Sequence, residues 1–153
     1  MEGELHAYLR GLSRDTAAWG GRPDLLLVLA DSNGRGESKR REELESLIPP
    51  DLGLEVAVAC PTPHVEAWCF ADPIAFQDLL RIPCPQVDLG FEKDRFKKLL
   101  VECLEKAGET LLGDPMNIAL ELVPKMDFYR AAKSDPSLGR LITLLRARFK
   151  RAP

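Results

Sequence analysis

The fold is decided by residues 24–34, which read DLLLVLADSNG. Six consecutive apolar residues, from Leu25 to Ala30, lie between residues that favour turns. A short apolar run bounded by turn residues is typical of a strand that is covered on both faces of a parallel sheet. We therefore predict a buried strand here, followed by a polar turn over residues 31–36.

A second strand is predicted over residues 54–60, where the apolar run ends in Cys60 and is followed by Pro61. Between the two strands, Ser38 is the expected N-cap of a helix over 39–48, which prolines then end. A strand–helix–strand order favours parallel strands joined by a right-handed crossover. The expected fold class is α/β, with a small parallel sheet flanked by helices.

The rest of the chain has the spacing and capping residues of helices. The helices are predicted over 4–19, 64–71, 73–81, 92–107, 115–122 and 137–149. No third strand is evident in the second half, which is therefore expected to be helical. The 153 residues fit one domain spanning 1–153.

Composition excludes several classes of protein. Apolar residues make up 45% of the chain and charged residues 29%, which is a globular balance. The start has no signal-peptide pattern and no apolar run could span a membrane, so we expect a cytoplasmic protein without membrane contact. The four cysteines read as reduced thiols. Cys60 and His64 could form half of a zinc site, but no second half is apparent.

Asp31 and Asn33 are the first candidates for a functional site. Ligands of open parallel sheets bind beyond the carboxyl ends of the strands, where these two residues lie. If the segment is extended, both side chains point the same way and offer oxygen ligands that suit Mg²⁺. The alternative is that Asp and Asn before Gly simply form a turn.

The loop after the second strand supplies a further set of candidates. Glu66 lies in the first turn of a predicted helix, where it either complements the helix dipole or takes part in the site. His64 is a helix cap, a surface residue or a catalytic base. Trp68 shares an apolar face with Val65 and Cys69 and is predicted to belong to the core.

Two groups of basic residues are candidate phosphate contacts. The first follows the Asp31 turn and comprises Arg35, Lys39, Arg40 and Arg41. The second, on the C-terminal helix, comprises Arg140, Arg146, Arg148, Lys150 and Arg151. The alternative for both groups is a solvated helix face. The net charge of −3 does not by itself favour nucleic acid as a partner.

Residues 63–72, PHVEAWCFAD, resemble the E-A-W-x-x-A-D signature of small bacterial TOPRIM-like proteins. The segment 28–33 is similar to the family's strand ending in D-x-D, and 125–145 is similar to its C-terminal end. Asn33 stands where the motif has its second Asp. Glu2-Gly3 matches the family's E-G motif in letters, with no strand before it.

The resemblance implies a TOPRIM core and phosphodiester chemistry that depends on Mg²⁺ or Mn²⁺, as in topoisomerases, primases and nucleases of phage defence. It implies that Asp31 and Asn33 hold the metal, that Glu66 and Glu2 are catalytic, and that Asp72 is a further candidate. The leading hypothesis is thus a metal-dependent nuclease or related phosphoryl-transfer protein that binds nucleic acid.

Two other hypotheses remain open. One is a catalytically degenerate binding or regulatory subunit that acts with an ATPase or another defence-operon protein. It is motivated by Asn33 and by the lack of a strand before Glu2. The other is a nucleotide-binding module, which is disfavoured because the chain has neither G-x-G-x-x-G nor G-K-[ST].

Overall fold

Two parallel strands lie at the centre of the N-terminal half. In the computed structural model, which describes residues 2–12, 23–87, 94–108 and 114–149, strands β1 (Leu25–Leu29) and β2 (Glu55–Ala59) pair in parallel. Leu25 lies opposite Glu55, and Leu29 lies opposite Ala59. The predicted parallel pairing is confirmed, and the fold is mixed α/β with mostly helical structure.

Helix α2 (Glu37–Glu45) connects the two strands. It begins directly after Gly36, whose φ of 81° suits a residue without a Cβ atom. Ser38 therefore lies inside the helix, and its prediction as the N-cap is wrong. The helix starts two residues before the predicted position because the glycine makes the turn from β1 possible.

Helices α1 (Glu2–Leu12) and α2 cover one face of the strands. Leu9 and Leu12 pack with Leu52 in a cluster that also includes the side chains of Leu26 and Val56. The predicted helix over 4–19 is confirmed as far as Leu12. The rest of that prediction falls on residues outside the described ranges.

The other face is covered only in part. The last helix of the chain, Pro136–Phe149, contacts β2, where Ala57 and Ala59 are buried. In contrast, Leu27 and Leu29 of β1 are 43% and 47% exposed. The prediction that β1 is covered on both faces is therefore wrong, because no helix in the described part of the chain covers this side of β1.

The second half consists of helices and short turns around a core of its own. It contains α3 (Pro73–Leu80), α4 (Arg95–Lys106), α5 (Ala119–Leu122), α6 (Phe128–Ser134) and α7 (Pro136–Phe149). Tight 3₁₀ turns cover Val65–Phe70, Pro115–Ile118 and Val123–Lys125. None of the helices within the described ranges has the length and apolar content that crossing a membrane requires.

Two helix predictions in this half need correction. Residues 65–70 form a 3₁₀ helix, and the predicted helix over 115–122 is split into a 3₁₀ turn and a single α-helical turn. Helix α6 was not predicted from sequence. It has seven residues and is capped by Asp127, whose side chain accepts hydrogen bonds from the amides of Tyr129 and Arg130.

Candidate functional site

The loops after β1 and β2 run side by side. The ladder continues past the strands, because the amide of Ala30 donates to the carbonyl of Ala59 at 3.1 Å. The amide of Ser32 likewise donates to the carbonyl of Pro61 at 2.9 Å, and Asn33 donates to Pro63 at 3.4 Å. The structure therefore brings the two polar loops together at the carboxyl ends of the strands, where a ligand site is expected.

The Asp31 carboxylate lies where the two loops meet, at the carboxyl end of the strands. Its Oδ1 accepts a hydrogen bond from the amide of Val65 at 2.9 Å, and its Oδ2 lies 3.3 Å from Nδ1 of His64. Relative exposures are 34% for the Asp31 side chain and 17% for that of His64. The carboxylate is thus held in a fixed orientation while part of it remains open to solvent.

Asn33 does not point along with Asp31 in the way that an extended segment would require. Its φ of 48° lies in the left-handed region, so the chain has already left the extended conformation. The side-chain Nδ2 donates to the backbone carbonyl of Asp31 at 3.4 Å. The turn geometry expected for Asp and Asn before Gly is present. The side chain of Asn33 is exposed.

The two glutamates predicted as catalytic are placed differently. Glu66 lies in the 3₁₀ helix that starts at Val65, and its side chain is half-buried. Burial, with a smaller effect from the Glu66 charge, raises the pKa of Cys69 to about 12. Glu2 is the first residue of α1, so it follows no strand in the described ranges.

The described residues contain no cluster of three or more His, Cys, Asp or Glu side chains that could hold a metal ion. Asp31 and His64 are a pair, and no hydrogen bond within those residues joins Glu66 to either of them. Any metal at this edge would therefore need oxygen atoms from Asn33, from water or from a bound substrate.

Asp72 lies in a different environment, with a fully buried side chain. Its carboxylate caps α3 through the amides of Ile74 and Ala75, and it also accepts from the amide of Asp127 at 2.7 Å. The Arg130 guanidinium donates to both of its oxygens, at 3.1 and 3.0 Å. With five donors around it, Asp72 joins α3 to α6 and has no free oxygen for a ligand.

The predicted basic patch is largely neutralised. Arg35 and Arg40 both donate to Glu43, at 3.2 and 3.1 Å, and the hydrogen bond from Arg40 lowers the pKa of that glutamate. Arg41 lies within salt-bridge distance of two further glutamates of α2. Lys39 is exposed. This pattern fits a solvated helix face better than a phosphate-binding surface.

The second basic group also makes ion pairs. Arg140 pairs with Glu37 at 2.6 Å, and Arg148 pairs with Glu55. These pairs tie α7 to α2 and β2. Arg146 is exposed, and the predicted positions 150 and 151 lie outside the described residues.

A polar network that sequence reasoning missed supports the second loop. Ser137 Oγ accepts hydrogen bonds from Nε1 of Trp68 at 2.9 Å and from the amide of Thr62 at 3.3 Å. The same hydroxyl donates to the Asp135 carboxylate at 2.6 Å, which also caps α7. The signal was the order Asp135-Pro136-Ser137, a capping residue followed by proline at the first helical position. Trp68, predicted as core, is half-buried and belongs to this network.

An apolar groove lies beside the site. It has a volume of about 580 Å³ and extends from Val65 and Trp68 along α7 to Phe149. Arg146 is the only charged residue among the described residues that line it. Val65 therefore lies between the site and the groove. Its amide donates to Asp31, and its side chain lines the groove.

Comparison with known proteins finds no match. No family model fits the chain, and neither a curated protein nor a solved structure shows significant similarity to it.

Proposed function

We propose that this chain is a metal-dependent phosphoryl-transfer protein, most simply a nuclease, with Asp31 as the metal ligand. One observation carries the proposal. The Asp31 carboxylate lies at the carboxyl end of a parallel strand, oriented by Val65 and His64 and 34% exposed. This is the position at which parallel α/β folds bind ligands.

The donor set fits Mg²⁺ or Mn²⁺ on condition that water and substrate phosphate complete the ligands. Mg²⁺ commonly keeps several waters and takes one or two carboxylates together with the phosphates of its substrate. Asp31 would supply the carboxylate, and the side chain of Asn33, two residues further along the loop, would supply an amide oxygen. The remaining ligands are then waters and substrate phosphate, so binding of metal and substrate should be mutually dependent.

A divalent ion at this position would supply Lewis-acid polarisation of a phosphoryl group. The protein itself contributes orientation and a proton-transfer group. Nδ1 of His64 lies 3.3 Å from Asp31, and this contact orients the imidazole ring. Nε2 is then left to exchange a proton with a substrate or with water. Among the described residues of α2, Lys39 is exposed, and it would contact a phosphate backbone although its neighbours in the basic patch are paired.

The test compares cleavage by the wild type and by Asp31→Asn. The amide of this variant keeps an oxygen for the Val65 N–H and removes the negative charge, so the loop is retained. Single-stranded and duplex DNA and RNA are incubated with Mg²⁺ or Mn²⁺. We expect a rate lower by about 100-fold or more in the variant. The matched control is Asp51→Asn, an exposed aspartate before β2, at the opposite end of the strands.

Equal cleavage by wild type and Asp31→Asn would remove Asp31 from the mechanism. A calorimetric Mn²⁺ titration of the same three proteins gives an independent measurement. We expect a binding signal in wild type and Asp51→Asn that is lost in Asp31→Asn, most clearly when a non-hydrolysable oligonucleotide is present.

A second candidate function is a binding or regulatory subunit. It is favoured by the apolar groove of about 580 Å³ beside the Asp31 site. Apolar clefts of a few hundred Å³ commonly bind ligands. If the wild type neither cleaves nucleic acid nor binds Mn²⁺ at Asp31, this second function becomes the better proposal.

A further inference from the structure

We infer that the open edge of β1 pairs with β1 of a second copy of this chain, in antiparallel orientation about a twofold axis. The inference is independent of the proposed function, because it involves the outer edge of the strand and none of the residues of the Asp31 site.

The first observation is the direction of the backbone groups of β1. Ala30 and Ser32 donate towards the β2 side of the ladder. Because backbone groups alternate along a strand, the N–H and C=O of Leu25, Leu27 and Leu29 point to the opposite side. Within the described residues, β1 pairs with β2 alone, so these groups face an edge without a strand.

The second observation is that the residues of β1 themselves carry no feature that protects the edge. Edge strands commonly carry charged residues, proline or a bulge that prevents pairing with another chain. Residues 25–29 read LLLVL, with none of these features. Leu27 and Leu29 are 43% and 47% exposed, although parallel strands are ordinarily buried on both faces.

The third observation favours a second copy over an unrelated strand. A twofold axis at Leu27 places Leu27 opposite its symmetry mate and Leu25 opposite Leu29 of the partner subunit. Asp24 then lies opposite Ala30 of the partner subunit, so no like charges face each other across the ladder. The exposed leucines of both copies fall on the same face, where opposite residues of an antiparallel pair make side-chain contact.

The pairing also satisfies the backbone. The three residues that point to the edge would each form a hydrogen-bonded pair, in which the two residues exchange both N–H···O bonds. The product is a four-stranded sheet in the order β2, β1, β1, β2. Because a ladder of five residues is at the small end of specific interfaces, we expect dissociation in the micromolar range.

The test measures mass by light scattering and sedimentation velocity from about 10 µM to about 500 µM, a range set by the expected weak interface. We expect the wild type to move from 17.0 kDa towards twice that mass as its concentration rises. Leu27→Lys places two ammonium groups opposite each other and should weaken the dimer at least tenfold. The control is Leu120→Lys, at a leucine that is 80% exposed and outside the strands, and it should dimerise like the wild type.

A crosslink tests the geometry directly and does not depend on the folding of the lysine variant. In a hydrogen-bonded antiparallel pair the two Cα atoms are about 5.5 Å apart, a distance that a disulfide spans. Leu27→Cys should therefore form a covalent dimer with oxidised glutathione, while Leu120→Cys and the wild type should not. Three of the four native cysteines are buried, which keeps the background low.

The inference is overturned if the wild type stays at 17.0 kDa over the whole concentration range. It is also overturned if a dimer forms that Leu27→Lys leaves intact and that Leu27→Cys does not crosslink. Either result would mean that the edge of β1 takes another occupant or none.

Discussion

Replacing Asp72 by alanine tests the polar link between α3 and α6. The carboxylate is fully buried and accepts five hydrogen bonds, from three backbone amides and from two nitrogens of Arg130. Loss of the helix cap costs about 1 kcal/mol. The part-buried hydrogen bond from the amide of Asp127 to the carboxylate is also lost, and a bond to a charged group contributes about 1.5–3 kcal/mol. We therefore expect the free energy of unfolding to fall by about 3 kcal/mol in total, a large part of the 5–15 kcal/mol of a typical domain.

The assay is urea denaturation followed by far-UV circular dichroism at several pH values. Burial opposes ionisation of Asp72, but hydrogen bonds from Arg130 and from backbone amides outweigh it, so the folded-state pKa is lowered. A lowered pKa contributes stability above the unfolded value of about 3.9, and this stability is lost as the pH falls through the folded value. The difference between wild type and Asp72→Ala should thus stay constant from about pH 8 to pH 5 and narrow below about pH 4.

Two further variants make the result specific. Arg130→Met should destabilise less than Asp72→Ala, because the arginine side chain is 41% exposed and the three amides still hold the carboxylate. Asp51→Ala removes an exposed aspartate and should leave the unfolding curve unchanged. The reasoning is refuted if Asp72→Ala lies within about 0.5 kcal/mol of the wild type, the range of ordinary surface changes. A difference that persists undiminished at pH 3 would refute the pH argument.

Three other predictions concern packing and reactivity. Gly139→Ala should lower the midpoint of urea unfolding, because the new Cβ would lie 2.8 Å from a backbone carbonyl of α6. Gly11→Ala, where a Cβ meets open space, should keep or raise the midpoint. Equal midpoints for the two variants would contradict this. Ser137→Ala should lower the free energy of unfolding by about 1–3 kcal/mol. Adding Trp68→Phe should lower it little further, because the two side chains share a hydrogen bond. Additive effects in a double-mutant cycle would contradict the network. With its pKa raised to about 12 by burial, Cys69 should resist iodoacetamide at pH 8 until urea unfolds the protein, as followed by mass spectrometry.

The sequence was sufficient for the parts of the fold that depend on local pattern. The two apolar runs predicted both strands and their parallel order, and the proline at position 73 marked the start of α3. It was insufficient where tertiary packing decides. The run Leu25–Leu29 looks buried on both faces, yet the exposure of Leu27 depends on where α7 lies, and nothing in the run encodes that position.

In the candidate site, too, some features follow from local sequence and others depend on tertiary structure. That Asp31 lies beside the loop of His64 follows from parallel strands, and the structure brings the two side chains to 3.3 Å. Asn33 was expected to point with Asp31, but a positive φ turns it away from the extended direction. The role of Asp72 could not be read locally either, because its main partner, Arg130, is 58 residues away in sequence.

The hydroxyl of Ser137 has a consequence for the order in which the molecule is made. The loop over residues 61–64 is synthesised in the first half of the chain, whereas the group that accepts the amide of Thr62 and the indole of Trp68 belongs to the last helix. On the ribosome, Asp31 and His64 are thus complete long before their support exists. The N-terminal strands can pair early, but the loop that carries His64 can be secured only when α7 has been released and docks.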